Sequence, residues 1–403
     1  MMKLLIANVG SSSLKCQLLE MPAETVVARA AVERVGSEKA AVQWTDRAGQ
    51  THKAETPLKD GVAAIRFVLA QLTDAGNGVL GSVAELDAVG FKTICAKGYT
   101  GCQYLDDKVM DAMAESAEYI CPLHNEAYIK AVRSFQQVLP STPMIGLFET
   151  AFYQGWPEYA SIYAIPWDWT EKYDVRRSMG HGASHYYVNR RIAQILGKTP
   201  EDLNVVQLHL GGSSSLTAVR GGKTIDGTAG FTMQTGVPQS VRSSDMDGYL
   251  IAYLSAKGEG TPKQIVDRMM CEGGLSGISG IGFDMRDLQD AAEKGHQRAK
   301  LAIDTYVYQL RKYLGSMMLI LGKVDVITAA GGTGECSPYI RQRVFENLGE
   351  FGVVLDEARN EACVKKESLI SSDTSKIPVW VVPTNEEIVV ARACATLLTQ
   401  SKK

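Results

Sequence analysis

The fold is decided by residues 3–19, KLLIANVGSSSLKCQLL. Leu4, Leu5, Ile6 and Ala7 form an apolar run that reads as a buried strand, and residues 14–19 read as its partner. Between them Gly10-Ser11-Ser12-Ser13 has the chemistry of a tight turn. Glycine allows backbone shapes that a Cβ forbids, and short hydroxyl side chains point into the turn. Such a turn arrays N–H and O–H donors around an anion, and Lys15 adds a positive charge. The design returns at 205–216, VVQLHLGGSSSL, so that GSSSL stands at 10–14 and again at 212–216. Two matched strand-turn-strand units half a chain apart predict a duplicated domain with two phosphate-facing turns on one cleft. Two ordinary Gly/Ser hairpins are the alternative reading of the same residues.

A chain of 403 residues exceeds one simple core and predicts two domains. It is 45% hydrophobic and 22% charged with a net charge of −3, so no basic excess argues for nucleic acid. No apolar run approaches the roughly 20 residues that span a bilayer. Eight cysteines are scattered without a CxxC pair, which fits reduced thiols in a cytoplasm better than a disulfide framework or zinc site. Met1-Met2-Lys3 leads straight into the first strand without a signal-peptide pattern, and the expectation is a cytoplasmic protein.

Further along, apolar spacing of two over 25–46 predicts more strands, and 61–72 has helical spacing. Residues 87–94 read as a buried strand, 106–119 as a helix capped by Asp106, and 121–125 as a loop whose Asn125 caps a helix to about 138. Residues 144–147 form a strand with Phe148-Glu149-Thr150 at its carboxyl end, where ligands collect in α/β sheets. In the second half, 273–282 and 330–335 are glycine-rich loops. The latter follows a strand and precedes a helix, a context that favours nucleotide phosphate. His181 and His185 stand four apart at a helix start, the spacing of a zinc pair, with no third ligand placed by sequence.

The ordered motifs NVGSSSLK, PLHN, VRRSMGHGASH, HLGGSSSL, VRSSDMD, GGLSGISG, AGGTGE and PTNEE resemble the acetate kinase family of short-chain carboxylate kinases nearly end to end. The resemblance implies an α/β fold of two duplicated, actin-like (ribonuclease H-like) domains shared with sugar kinases and heat-shock ATPases. The first would cover 1–150, joined by a C-terminal helix 386–400, and the second 151–385. It implies ATP with Mg²⁺ in a central cleft, a small carboxylic acid as acceptor, and a homodimer. Carried over by position, Asn8 and Glu386 would hold the metal. Glu149, His181, Arg242 and Lys92 would be catalytic. Lys92, Ile94, Leu123, Gly180, Met233 and Arg242 would contact the acceptor. Ser13, Lys15, His209, Gly211, Gly212, Ser213, Asp284, Arg286, Gly331, Gly332, Gly334 and Glu335 would bind the nucleotide.

The chain departs from the family pattern mainly around the acceptor. Lys92 stands for the family's arginine, keeping the charge but losing the two-pronged guanidinium. Glu149 stands for an aspartate, Gly180 for a phenylalanine, Met233 for a proline, and Gly211-Gly212-Ser213 for GNG. Loss of the phenylalanine predicts a roomier pocket and an acceptor larger than acetate. A carboxylate acceptor, of pKa about 4–5, is already an anion at neutral pH. Transfer is therefore a matter of positioning and charge neutralisation. The altered nucleotide loops leave pyrophosphate open as donor, and Lys92 with Glu149 leaves open a catalytically impaired ligand sensor.

Overall fold

The computed structural model describes residues 1–10 and 12–401, and of 122–124 the backbone alone. Residue contacts divide the chain into two compact units, Met1–Ala151 with Asn385–Lys403, and Phe152–Thr384.

The first unit holds β1 (Met2–Gly10), β2 (Ser13–Met21), β3 (Thr25–Glu33), β4 (Ser37–Thr45), β5 (Thr51–Leu58), β6 (Ala88–Thr93), β7 (Cys102–Tyr104) and β8 (Met144–Phe148). They form one sheet in the order β5-β4-β3-β2-β1-β6-β8-β7. The β1–β2 hairpin pairs Gly10 with Ser13, so the chain reverses within the GSSS segment; Ser11 lies outside the described residues. β1, β6 and β8 run parallel, with Ala7 opposite Phe91 and Lys92 opposite Leu147. All five residues of β8 are buried, as expected of a parallel strand covered on both faces. On one face Phe91 meets Phe135 of the Pro122–Val138 helix edge to face at 5.4 Å. Residue 90 points to the other face, where a Cβ would strike Val390 and Cys394 of the Glu386–Gln400 helix.

The predicted caps hold at Asp106, whose carboxylate accepts from Val109 N–H. They do not hold at Asn125. The helix begins earlier, at Pro122, where a proline's missing N–H does no harm. Asn125 is instead buried within it, donating from Nδ2 to the carbonyls of Cys95 (2.8 Å) and Met113 (2.9 Å). The loop that follows β6 is tied down by this amide.

The second unit holds β9 (Asn204–Leu210), β10 (Ser214–Arg220), β11 (Lys223–Gly227), β12 (Val326–Ala330), β13 (Ser368–Leu369) and β14 (Val379–Val381), ordered β11-β10-β9-β12-β14-β13. Its core β11-β10-β9-β12-β14 repeats β3-β2-β1-β6-β8 of the first unit in order and in direction: two antiparallel pairings, then two parallel ones. The duplication expected from the twin GSSSL strings is thus an architectural one. The 25-residue helix Gln297–Leu321 turns Ala299, Ile303, Tyr306, Leu310, Leu314 and Met317 inward. Full burial of a Leu or Ile side chain is worth roughly 1.5–3 kcal/mol, so this stripe is a major contribution to the unit.

Both glycine-rich segments expected as loops wind into short helices, Gly274–Ser279 and Gly331–Cys336. Each opens on a glycine in the left-handed region, Gly274 at φ +59° and Gly331 at φ +76°. A Cβ at 274 would lie 2.1 Å from the Gln239 carbonyl oxygen, and one at 331 lies 2.7 Å from that of Leu210. No side chain fits either crossing. Arg341, fully buried, holds the second helix from behind. It donates to Gly334 O at 2.9 Å, Asn360 Oδ1 at 2.8 Å, Asn360 O at 2.8 Å and Cys363 O at 2.7 Å. Among the described residues no helix is long and apolar enough to cross a membrane.

Candidate functional site

In the first unit the carboxyl ends of the parallel strands carry Asn8 and Lys92, and Glu149 follows β8 directly. Glu386 opens the last helix, with Asn385 capping it by accepting from Ile388 N–H. The Lys92 ammonium lies 2.6 Å from Glu386 Oε2 and 3.2 Å from Glu149 Oε1. Glu149 is 3% exposed by side chain, Glu386 15% and Lys92 19%. Burial alone would lower the lysine pKa, but the charges of Glu149 and Glu386 outweigh it and hold Lys92 well above its ordinary range. Lys92 therefore lies between two carboxylates, partners that its reading as a catalytic and acceptor-contacting residue did not name. Tyr128, which carried no sequence signal, sits beside this group; burial pushes its hydroxyl up to about 12. Lys15 faces Asn8 across the hairpin and is exposed, and Ser13 is half-buried at the turn. Ile94 is half-buried in the loop after β6. The Leu123 side chain lies outside the described residues.

In the second unit His181 stands at the start of the Gly182–Ile195 helix, and His185 lies one turn on. The imidazoles of His181 and His209 stack at 4.0 Å and 14°. His181 Nδ1 lies 2.7 Å from Ser215 Oγ, and His209 Nδ1 lies 2.7 Å from Ser184 Oγ. His185 bridges Ser215 Oγ (2.9 Å) and Gln207 Oε1 (3.1 Å). Burial, with the neighbouring His209, lowers its pKa to about 3, so it is neutral at physiological pH. The histidines are linked through hydroxyls and an amide, and no cluster of three metal-binding side chains occurs among the described residues.

Gly180 does not open a cavity. A Cβ there would lie 2.0 Å from the Tyr153 hydroxyl and 2.2 Å from its Cζ. Tyr153 stands directly against Gly180 and packs edge-on against Phe152 and Trp156. The size argument drawn from Gly180 alone fails for this reason.

Arg242 is fixed by a side chain the sequence did not flag. Gln239, 2% exposed, accepts from Arg242 Nη1 (2.9 Å) and Ser213 Oγ (2.6 Å), and donates to the Met233 carbonyl (2.7 Å). Arg242 Nη1 also reaches Ser213 Oγ at 3.3 Å. One amide thus joins the arginine, the second GSSS turn and the segment carrying Met233. Leu275 N–H and Ser276 N–H donate to the carbonyls of Gln239 and Ser240, so the Gly274–Ser279 helix braces the arginine loop.

The turn itself is ordered by Ser214, which accepts from Gly211 N–H at 3.2 Å and lies 2.9 Å from the Tyr306 hydroxyl; Ser240 N–H donates to Gly212 O. Gly332 and Gly334 lie in the Gly331–Cys336 helix. Glu335 Oε1 accepts from Gly331 N–H (2.9 Å) and Thr384 N–H (3.1 Å), so it ties the turn to the chain before the last helix. Asp284 and Arg286 form a bidentate pair at 2.6 and 3.0 Å at the start of the Met285–Glu293 helix. Hydrogen bonds from Arg286 lower the Asp284 pKa to about 2. The side chain of Arg286 is 88% exposed.

Comparison with known proteins identifies a family. The acetokinase family model matches residues 3–392. The chain is 40% identical over 399 residues to the acetate kinase of Acetivibrio thermocellus, covering 98% of this chain and 99% of that one. It is also similar in structure to Porphyromonas gingivalis acetate kinase (TM-score 0.87, 34% identity, 99% and 100% of the chains). A propionate kinase from Francisella tularensis subsp. tularensis SCHU S4 superposes with TM-score 0.88 at 29% identity, covering 98% and 99%.

Proposed function

Because the chain belongs to the acetokinase family, we propose that it transfers the γ-phosphoryl group of ATP reversibly to a small carboxylate, giving an acyl phosphate. The observation that carries the reading is Arg242, locked by Gln239 onto the hydroxyl of Ser213 in the second GSSS turn. A guanidinium at an N–H- and O–H-lined turn suits the oxygens of a phosphoryl group. An acceptor carboxylate oxygen forms the new bond to the γ-phosphorus as the bond to the β–γ bridging oxygen breaks, and that electron pair departs on ADP. No proton need be removed from the acceptor. Repulsion between anions is the obstacle, and Arg242 and His181 would offset it.

Magnesium fits the residues present. Glu386 and Glu149 offer hard oxygen donors that already converge on one cationic atom, and Asn8 lies near the carboxyl end of β1 in the same unit. Glu386 and Asn8 would hold the ion, which when bound withdraws charge from phosphate oxygens. Lys92 would steady Glu149 and Glu386, and Glu149 would act through that pairing. The reading includes a homodimer working in the cytoplasm. Tyr153 fills the Gly180 side, so an acceptor larger than acetate does not draw its room from there.

Trapping the acyl phosphate with hydroxylamine tests the reading, using ATP, Mg²⁺ and a series of acids from acetate to butyrate, then pyrophosphate for ATP. Product with ATP supports it. Product with pyrophosphate alone changes the donor, and none with either leaves a ligand sensor.

A further inference from the structure

Three buried side chains stand behind His181 in a single file. Gln207, His185 and Ser215 are each 1% exposed. Gln207 Oε1 lies 3.1 Å from His185 Nδ1, His185 Nε2 lies 2.9 Å from Ser215 Oγ, and Ser215 Oγ lies 2.7 Å from His181 Nδ1. Each of the three gaps needs one hydrogen. An amide oxygen only accepts, so the first hydrogen belongs to His185 Nδ1. Burial keeps His185 neutral, and a neutral imidazole has one N–H. Its Nε2 must then accept, and the hydrogen it accepts is the single one on Ser215. With that hydrogen committed, Ser215 Oγ can only accept from His181, which places a hydrogen on His181 Nδ1. The direction of the whole file rests on the amide at its far end, which turns Oε1 to His185 and leaves Gln207 Nε2 buried without a hydrogen-bond partner.

We propose that Gln207, His185 and Ser215 are positioning residues that hold His181 in the Nδ1–H form, leaving Nε2 as the atom that takes up and releases its second proton. For the reaction this decides which ring atom can donate to a phosphoryl oxygen: Nε2, once protonated. That consequence rests on the kinase reading, whereas the assignment of the hydrogens does not. The reverse amide orientation would turn every hydrogen in the file around and give both histidines the Nε2–H form.

Two-bond ¹H–¹⁵N correlation spectra distinguish the two ring forms, and the chain has only six histidines to assign. In the full-length protein without substrate, His181 and His185 should both show the Nδ1–H pattern. Ser215→Ala should release His181 into a mixture of forms. Gln207→Glu, which still only accepts, should preserve the pattern, and Gln207→Met should lose it. In the kinase assay Gln207→Met should lower kcat on the order of 10–100-fold, the scale typical of losing a histidine's orienting partner, with the KM for ATP little changed. Gln207→Glu should retain most of kcat. A purely structural role would lower stability without altering the ring form of His181. An Nε2–H pattern in the wild type, or an unaltered pattern in Ser215→Ala, overturns the proposal. Should Gln207→Met fail to fold, the smaller change Ser215→Ala decides alone. The spectra need no turnover, so the expected patterns in an inactive protein would overturn the kinase reading and leave this one intact.

Discussion

Replacing Lys92 with methionine should be among the most damaging single changes in the first unit. Its ammonium lies 2.6 Å from one carboxylate and 3.2 Å from another. At an effective dielectric of about 20, each contact is worth on the order of 5–6 kcal/mol of direct attraction. Desolvation of the three groups and repulsion between Glu149 and Glu386 cancel much of that. What remains measurable is the penalty of taking this cation away from two carboxylates that both contact it, one of them only 3% exposed. Breaking a buried pair from one side costs about 3–5 kcal/mol, and partial exposure of Glu386 sets the expectation near 3. Urea unfolding followed by circular dichroism and by fluorescence reads the loss. The companion variant Lys92→Met with Glu149→Gln removes one stranded charge and should recover about half of it. A loss under about 1 kcal/mol in the single variant, or a double variant less stable than the single, would refute the idea that Lys92 is the counter-ion of this pair.

Arg242→Ala should reduce kcat by on the order of 10²–10³-fold with nucleotide binding largely intact, measured by coupled assay and calorimetry. Tyr153→Ala should open the space beside Gly180, raising kcat/KM for butyrate relative to acetate; an unchanged ratio would remove Tyr153 as the size limit. His185 sits at about 3 in the folded state against about 6.5 unfolded, so below pH 6.5 the unfolded chain binds the proton more readily. Its contribution is intact above that value and is lost as pH falls towards 3, amounting to about 2 kcal/mol at pH 5. His185→Asn should flatten the fall in stability between pH 7.5 and pH 5 by that amount. Arg341→Met should strand three buried carbonyls and raise the KM for ATP more than that for the acceptor, seen in initial-rate kinetics.

The duplication was legible because it is written twice, as GSSSL behind an apolar run, and because strands and turns are local consequences of residue type. Asp106 was legible as a cap for the same reason. Asn125 was not: its side chain answers to the Cys95 and Met113 carbonyls, which are distant in sequence. Gln207 and Tyr128 also act through such distant partners, Gln239 reaches back to Ser213 in the same way, and nothing periodic marks them. Gly180 taken by itself signals an absence, because a sequence presents one position at a time. Its complement, Tyr153, stands 27 residues earlier, and only packing reveals that the two share one volume. Lys92 shows the same limit in electrostatics: its charge was evident, while the two carboxylates that claim it come from separate segments.

Arg341 has no acid beside it among its hydrogen-bond partners; the side chain is wrapped in carbonyl dipoles and one amide. A rigid planar fork grips the Gly334 carbonyl with one prong and the Asn360 and Cys363 carbonyls with another. Neither end can slide without tugging the other. Inherited or engineered changes at Asn360 or Cys363, remote in the chain and innocuous on paper, should therefore register as altered handling of the nucleotide.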